Sequence, residues 1–217
     1  TQAMYGDWLS IGESTPLAVC DTAWCVYVCD LMAEMAGWFG KDADAARYAG
    51  YAESFRSAWC AAFLREDGTT VCGTQTSYAL ALAFGIIPED LRAASAQLAM
   101  NIADHGWKLT TGFMGVSFLL PVLTEYGYTD VAYKLLEQEA YPSWIYPILQ
   151  GATTIWERWN SYTVESGFGD AGMNSFNHYS YGSVMEWVYS TLLGISDDGT
   201  TSAYRHFVLK PTPGGSL

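Results

Sequence analysis

The chain alternates two kinds of helical segment, and this alternation restricts the folds open to it. Residues 16–37 and 115–126 are apolar around most of the helix circumference, as in a helix buried within a protein. Residues 42–64 and 88–104 carry apolar side chains every three or four positions, as in a helix with one wet face. The alternation predicts helical hairpins in two layers, with the apolar helices inside and the amphipathic helices outside.

Glycine residues mark the ends of several other predicted elements. Further helices are predicted at four places: over 74–84 before Gly85, after a cap at Thr129, over 144–149, and over 176–193 before Gly194. Residues 203–209 have the composition of a strand, and a segment rich in proline and glycine follows them.

About seven helices at this spacing fit either a helical solenoid or part of an α/α toroid. The chain has no strict repeat of the kind that TPR or HEAT arrays require. Its unusual residues lie in loops rather than on helix faces, which favours the toroid. We therefore predict an all-α fold: an (α/α)6 barrel of helical hairpins, incomplete in this chain, with a short β tail at the C-terminus.

Charge and aromatic content narrow the class of ligand. The formal net charge of −13 argues against nucleic acid and anionic membranes as partners, because phosphates are bound by clustered Lys and Arg. Aromatic residues make up 15% of the chain, and many stand beside Gly, Asn, Thr or Glu rather than in apolar runs. Rings in such polar settings indicate a cleft that stacks on a hydroxyl-rich ligand, and carbohydrate fits this description.

Five cysteines, at positions 20, 25, 29, 60 and 72, bear on the compartment and on metal binding. Their odd number, with no visible secretory signal, favours free buried thiols and a cytoplasmic location. We expect no metal site, because His105, His178 and His206 are too scattered. We expect no cofactor either, since no Gly-rich phosphate loop is present.

The strongest candidate for chemistry is the run GATTIWERW over residues 151–159. Its carboxylate, Glu157, follows Trp156, precedes Arg158 and lies two residues before Trp159. Apolar rings favour the neutral form of a carboxyl group and a cation favours the charged form, so this setting suits acid or base catalysis. The alternative is a helix N-terminus with an ordinary Glu–Arg surface pair.

A second candidate is the run MNSFNHYSYG over residues 173–182. Asn174, Asn177 and His178 precede an apolar helix, and amide and imidazole groups can hydrogen-bond sugar hydroxyls in either direction. For Asn174 and Ser175, helix capping is an equal alternative. The alternative for His178 is a core histidine whose hydrogen bonds are satisfied within the protein.

A third candidate is the Tyr-Gly-Asp-Trp run at residues 5–8. Trp8 can present its indole to a cleft while Asp7 holds it, although a loop tryptophan packed over a helix end is an equal alternative. In the run TGFMG over residues 111–115, Gly112 and Gly115 predict a turn that allows close approach of another backbone.

Together these runs resemble a known family of enzymes. GATTIWERW and MNSFNHYSYGSVMEW, with YGDWL before them and YPSWIY just upstream, closely resemble the catalytic domain of bacterial α-L-rhamnosidases of glycoside hydrolase family 78. The resemblance covers residues 5–195. It implies an (α/α)6 barrel and inverting hydrolysis of terminal α-L-rhamnosides, with a rhamnose-containing glycoside as partner.

The resemblance also assigns roles to individual residues. It implies that Glu157 is the general base that activates water, that His178 contacts the sugar and that Trp8 forms an aromatic wall of the rhamnose subsite. With the motifs above, we expect Asp7, Trp156 and Asn174 to bind substrate as well.

One departure from the family bears on domain organisation. The motif that carries the family's general acid, with its Arg-Asp-Glu sequence, is not found here, and inverting hydrolysis needs two carboxyl groups roughly 6.5–9.5 Å apart. We therefore expect residues 1–195 to be the C-terminal part of the catalytic domain. We expect residues 196–217 to be a linker and first strand that lead to a β-sandwich missing from the chain.

Two other functions fit the residues. One is a non-catalytic helical carbohydrate-binding or scaffold protein, and the other is a different (α/α)6 glycosidase with a similar base loop. The sequence leaves a homo-oligomer open in each case.

Overall fold

The computed structural model describes residues 5–201 and 203–216, and residues 1–4, 202 and 217 of the predicted domains lie outside this range. Eight α-helices lie within the described residues: α1 (Leu17–Trp38), α2 (Asp42–Phe63), α3 (Gln75–Ala83), α4 (Ala93–Asp104), α5 (Val116–Glu125), α6 (Thr129–Leu136), α7 (Ile145–Leu149) and α8 (Val184–Trp187). Short 3-10 turns, Glu89–Leu91 and Ser180–Ser183, precede α4 and α8, and a π-helical turn, Val188–Leu192, follows α8.

The helices form two layers, as the alternation of apolar and amphipathic segments predicts. In the inner layer α1 packs on α3, α3 on α5, and α5 on α8. Each of the first three inner helices forms a hairpin with the next helix of the chain, which gives the pairs α1–α2, α3–α4 and α5–α6. The central inner helix, α3, is buried over its first eight residues.

The predicted burial of α1 on all sides is wrong. Its buried side chains are confined to the first half: Val19, Cys20, Ala23 and Val26. Further along, Leu31, Met35 and Trp38 are exposed. At about 1.5 Å per residue, α3 is less than half as long as α1, so α3 covers only the first half of its neighbour.

Two predicted helix starts also differ from the structure. Thr129 is the first residue of α6, and Tyr128 before it occupies the cap position without a side-chain hydrogen bond. The last helix does not begin at Phe176, because helical structure starts only at Ser180. The main chain of Ser175 and His178 is instead bound to the loop of Glu157, which prevents this segment from continuing the helix.

Four short strands lie within the described residues: β1 (Tyr162–Thr163), β2 (Gly167–Phe168), β3 (Ile195–Asp197) and β4 (Phe207–Leu209). They form two antiparallel hairpins, β1–β2 and β3–β4. The sequence predicts only the strand at β4. Because two of the others have two residues and β3 has three, their local patterns are too short to identify.

The segment after β4 packs on α6 and does not extend away as a free linker. Tyr133 of α6 donates a hydrogen bond from its hydroxyl to Thr212 O. Ser216 donates to Glu137 from both its backbone N–H and its hydroxyl, and these bonds lower the pKa of Glu137. The β-sandwich expected beyond this segment stays a prediction.

All five cysteines are free thiols, as predicted. The predicted burial is right only for Cys20 and wrong for the other four thiols, which are half-buried. Within residues 5–201 and 203–216, no helix combines the length and the apolar character needed to cross a bilayer.

Candidate active site

The candidate site is built from loops that precede the inner helices. The loop before α1 is bound to the loop before α5, because Ile11 N donates to Thr110 O at 2.9 Å. It is also bound to the loop before α3, where the hydroxyls of Thr15 and Thr74 lie 2.7 Å apart. Neighbouring inner helices therefore begin at the same end of the fold, and their loops form one continuous surface there.

Glu157 lies in an irregular loop that follows α7, and its side chain is half-buried. Its backbone N–H donates to Ser175 O at 2.8 Å, and the Ser175 N–H donates to Glu157 Oε2 at 2.8 Å. The loop of Glu157 is thus bound to the loop of Ser175 in both directions. Oε1 has no hydrogen-bond partner within the described part of the chain, so this oxygen is open to a ligand.

Arg158 does not pair with Glu157. Its Nε donates to Met173 O at 3.1 Å, and its Nη2 lies 3.6 Å from Asp170 Oδ2. The alternative of a helix N-terminus with a Glu–Arg surface pair is therefore wrong, since residues 152–158 are not helical and the guanidinium points elsewhere.

The two tryptophans beside Glu157 are buried. Trp159 stacks on Tyr181 with ring centroids 3.7 Å apart, and Trp156 packs edge-on against Phe176 at 5.3 Å. Both tryptophans line an apolar cavity of about 450 Å³, together with Trp144 from the start of α7. These rings hold the loop of Glu157 against the core, and a direct contact between Trp156 and substrate stays a prediction.

His178 lies close to Glu157 along the paired loops. Its backbone N–H donates to Ile155 O at 2.9 Å, and its ring stacks on Phe113 with centroids 4.9 Å apart. The Nδ1 atom faces the N–H of Ser180 at 3.3 Å and accepts from it. In the neutral ring the proton then lies on Nε2, which is a hydrogen-bond donor.

Asn174 supports the same loop. Its Nδ2 donates to Ser161 O at 2.9 Å, whereas its Oδ1 is buried and has no partner within the described residues. The capping alternative does not hold, because Asn174 lies six residues before the 3-10 turn that leads into α8. A contact between Asn174 and substrate stays a prediction.

Asp7 is buried, with 7% of its surface exposed, and both of its oxygens are bound within the protein. Oδ2 accepts from the Thr76 hydroxyl and from Gly112 N at 2.8 Å. Oδ1 accepts from Met114 N at 2.9 Å and from Gly115 N at 3.2 Å. Burial raises the pKa of Asp7, while these four hydrogen bonds act to lower it. The predicted contact of Asp7 with substrate stays untested.

Trp8 is half-buried and lies beside a cavity of about 310 Å³, within the size range of small-molecule sites. Its carbonyl oxygen accepts from Phe113 N at 2.9 Å. A Cβ atom at Gly112 would overlap the carbonyl oxygens of Asp7 and Trp8, which confirms the predicted close backbone approach at this glycine.

Two residues that contact the candidate groups were not predicted, Phe113 and Thr76, and Ser175 was predicted only as a side chain. Phe113 bonds to Trp8 and stacks on His178, so it joins two of the predicted site residues. Ser175 acts through its main chain, which no side-chain pattern can reveal. Within the described residues, no group of three His, Cys, Asp or Glu side chains could hold a metal ion.

Residues 1–192 match the family described as the bacterial alpha-L-rhamnosidase 6 hairpin glycosidase domain. The chain belongs to this family. Among its relatives, an alpha-L-rhamnosidase of Streptomyces avermitilis is 46% identical over 98% of this chain and 20% of its own length. An alpha-L-rhamnosidase of Formosa agariphila is 41% identical over 98% of this chain and 24% of its own length.

Solved structures confirm the six-hairpin fold. The chain is similar to the crystal structure of the Streptomyces avermitilis alpha-L-rhamnosidase complexed with L-rhamnose, with a TM-score of 0.93 and 45% identity over 100% of this chain and 21% of that one. For the native enzyme of Aspergillus terreus, the TM-score is 0.92 and the identity is 29%, over 99% of this chain and 26% of that one. The chain thus spans about a fifth to a quarter of the length of the relatives it matches.

Proposed function

We propose that this chain carries the general-base side of an inverting glycoside hydrolase that removes terminal α-L-rhamnose. Membership of the rhamnosidase family supports the reaction class. The observation that carries the assignment to a residue is the position of Glu157: its main chain and Oε2 are bound to Ser175, while Oε1 is open.

In the proposed reaction, Glu157 accepts a proton from water through Oε1. The water oxygen then attacks the anomeric carbon, the glycosidic bond breaks, and a general acid gives a proton to the leaving oxygen. The Ser175 N–H on Oε2 fixes the orientation of the carboxylate, so the water is held on one face of the sugar ring.

We propose that Trp8 and His178 bind the rhamnose ring. The indole of Trp8 offers a flat apolar face to the C–H groups of the sugar, and Nε2 of His178 donates to a hydroxyl. Trp156 and Asn174, which are held in buried contacts, keep the loops of Glu157 and His178 in place.

The general acid is proposed to lie outside residues 1–217. The relatives are four to five times longer than the matched segment, so they have ample chain to supply a second carboxyl group. Residues 1–195 would then be the C-terminal part of the catalytic domain, with residues 196–217 leading to a β-sandwich. We expect residues 1–217 alone to show no rhamnosidase activity, and activity to return with the full-length protein.

The experiment that tests the reaction class is turnover of a panel of aryl glycosides by the full-length protein, with the product followed by NMR. Hydrolysis of the α-L-rhamnoside with β-L-rhamnose as the first product is expected. Hydrolysis of a different glycoside would identify another (α/α)6 glycosidase, and first release of α-L-rhamnose would contradict inversion. Binding of rhamnose without any turnover would favour a carbohydrate-binding protein.

A further inference from the structure

Asp7 links three parts of the fold that are distant in the chain. Its carboxylate accepts a hydrogen bond from the hydroxyl of Thr76 at the start of α3. It also accepts hydrogen bonds from the backbone N–H groups just before α5, those of Gly112, Met114 and Gly115. The carbonyl oxygen of the next residue, Trp8, accepts a hydrogen bond from the N–H of Phe113. A single side chain therefore joins the loop before α1 to the first turn of α3 and to the loop before α5.

The connection continues to the loop of Glu157. Phe113 stacks on His178 and also packs edge-on against Tyr181 at 5.3 Å. The His178 N–H is bound to Ile155 O, two residues before Glu157. Each step from Asp7 to Glu157 is a hydrogen bond, a ring contact or a short run of chain, so a shift of the Gly112–Gly115 loop would reach His178.

We propose that Asp7 is a positioning residue of the active site: it does not touch the sugar but sets the placement of Trp8 and, through Phe113, of His178. This inference rests on the proposed function for its effect on turnover. All four partners of the carboxylate are donors and the side chain is buried, so sugar hydroxyls have no free oxygen of Asp7 to reach.

The chemistry of the contact explains why an aspartate is required. Two oxygens on one planar group can accept from the two sides of a turn at once, as a carboxylate does at a helix N-terminus. An asparagine would place an NH2 group against backbone N–H groups, and one of its two sides would lose its acceptor. A glutamate would push the loops apart by one methylene group in a space already closed by Gly112.

The test compares two matched pairs of variants in the full-length protein. Asp7→Asn removes an acceptor oxygen of the buried contact. Thr76→Val removes one of its donors. Asp67→Asn and Thr69→Val make the same changes in an exposed turn, where Thr69 donates to Asp67 from its hydroxyl and its backbone N–H. Thr76→Ser keeps the hydroxyl and serves as the conservative variant.

Two measurements are made on each variant well below its melting temperature. The first is hydrogen exchange followed by mass spectrometry, which reads the amides of residues 112–115 and of residues 175–178. The second is kcat and KM on an aryl α-L-rhamnoside, together with Kd for free L-rhamnose.

We expect Asp7→Asn to speed exchange at both segments and to lower kcat/KM by about 10- to 100-fold, because a displacement of about 1 Å can have an effect of this size. In the same variant, KM for the aryl rhamnoside and Kd for free L-rhamnose should both rise. Thr76→Val should act in the same direction by a smaller factor. Thr76→Ser, Asp67→Asn and Thr69→Val should stay within about twofold of the wild type.

Three results would overturn the inference. Asp7→Asn could change exchange at 112–115 but not at 175–178, which would show a local structural role. Asp7→Asn could lower kcat only in proportion to the fraction of folded protein, with KM unchanged, which would show a loss of stability alone. If Asp7→Asn does not fold, the two Thr76 variants replace it in the test. Equal exchange rates and equal kcat/KM for Thr76→Val and Thr76→Ser would then overturn the inference. A wild type without rhamnosidase activity, or an active Glu157→Gln variant, would contradict the proposed function, while the exchange data would still decide the placement of residues 175–178.

Discussion

Glu157 and Ser175 are joined by two hydrogen bonds in opposite directions, each 2.8 Å long. One runs from the Glu157 N–H to Ser175 O, and the other from the Ser175 N–H to Glu157 Oε2. The first aligns two chain segments, and the second orients the carboxylate relative to them. The direction of the proposed general base is therefore set by the main chain of a residue 18 positions away.

This relationship predicts a difference between two substitutions at one position. Ser175→Ala keeps the backbone N–H and should leave kcat within about threefold of the wild type. Ser175→Pro removes that N–H, and a hydrogen bond to a charged group contributes about 1.5–3 kcal/mol, so kcat should fall roughly tenfold or more. Steady-state kinetics on folded protein measures both. Equal kcat values for the two variants would show that this bond does not orient the carboxylate.

The α1–α2 hairpin gives a prediction on stability. Trp59 of α2 is fully buried, and its Nε1 donates to Val19 O of α1 at 3.0 Å. Trp59→Phe removes this side-chain hydrogen bond and reduces the packed volume, so we expect a loss of about 1–3 kcal/mol. Trp38→Phe, at a tryptophan that is 72% exposed, should change stability by less than about 0.5 kcal/mol.

Thermal unfolding of the two variants beside the wild type provides the measurement. The melting temperature of Trp59→Phe should lie clearly below that of Trp38→Phe. A reversed order would mean that the hairpin is not held by this contact.

The buried carboxyl group of Asp7 predicts a dependence of stability on pH. Burial raises its pKa in the folded protein above the ordinary value of 3.8, so the folded state retains this proton at a pH where the unfolded state has lost it. The contribution of Asp7 to stability is therefore complete below pH 3.8 and falls as pH rises through the folded-state pKa.

Melting temperatures across this range, compared between the wild type and Asp7→Asn, isolate this group. The wild-type value relative to that of the variant should decrease as pH rises from 3.8 and then become constant. An increase in this relative melting temperature over the same range would mean that the four hydrogen bonds affect the pKa of Asp7 more strongly than burial does.

Local patterns were sufficient to predict most of the helices and their two layers. Apolar side chains at three- and four-residue steps identify α2 and α4, and nearly continuous apolar runs identify α1 and α5, because both patterns depend on neighbours within one helix. The glycine after α3 and the one after the last helix mark their ends for the same reason. The fold class predicted from these patterns agrees with the similar solved structures.

Contacts between distant residues could not be predicted in this way. Asp7 binds Gly112 across 105 positions of the chain, and nothing in the Tyr-Gly-Asp-Trp run distinguishes a carboxylate that binds sugar from one that binds a turn. Phe176–Tyr179 have the composition of a helix start, yet hydrogen bonds to the loop of Glu157 determine their conformation. The burial of α1 likewise depends on the length of α3, which the sequence of α1 does not contain.

The central claim is that Glu157 is the general base, and Glu157→Gln tests it most directly. In the full-length protein this variant keeps the shape of the side chain but cannot accept the proton, and general base catalysis contributes about 10²–10⁴ to the rate. The matched control is Glu165→Gln, at an exposed glutamate in the turn between β1 and β2. The measurement is kcat on an aryl α-L-rhamnoside, with Kd for L-rhamnose taken on the same samples. We predict a loss of kcat of at least 100-fold for Glu157→Gln with rhamnose binding retained, and wild-type values for Glu165→Gln. Turnover by Glu157→Gln within a few-fold of the wild type would contradict the assignment.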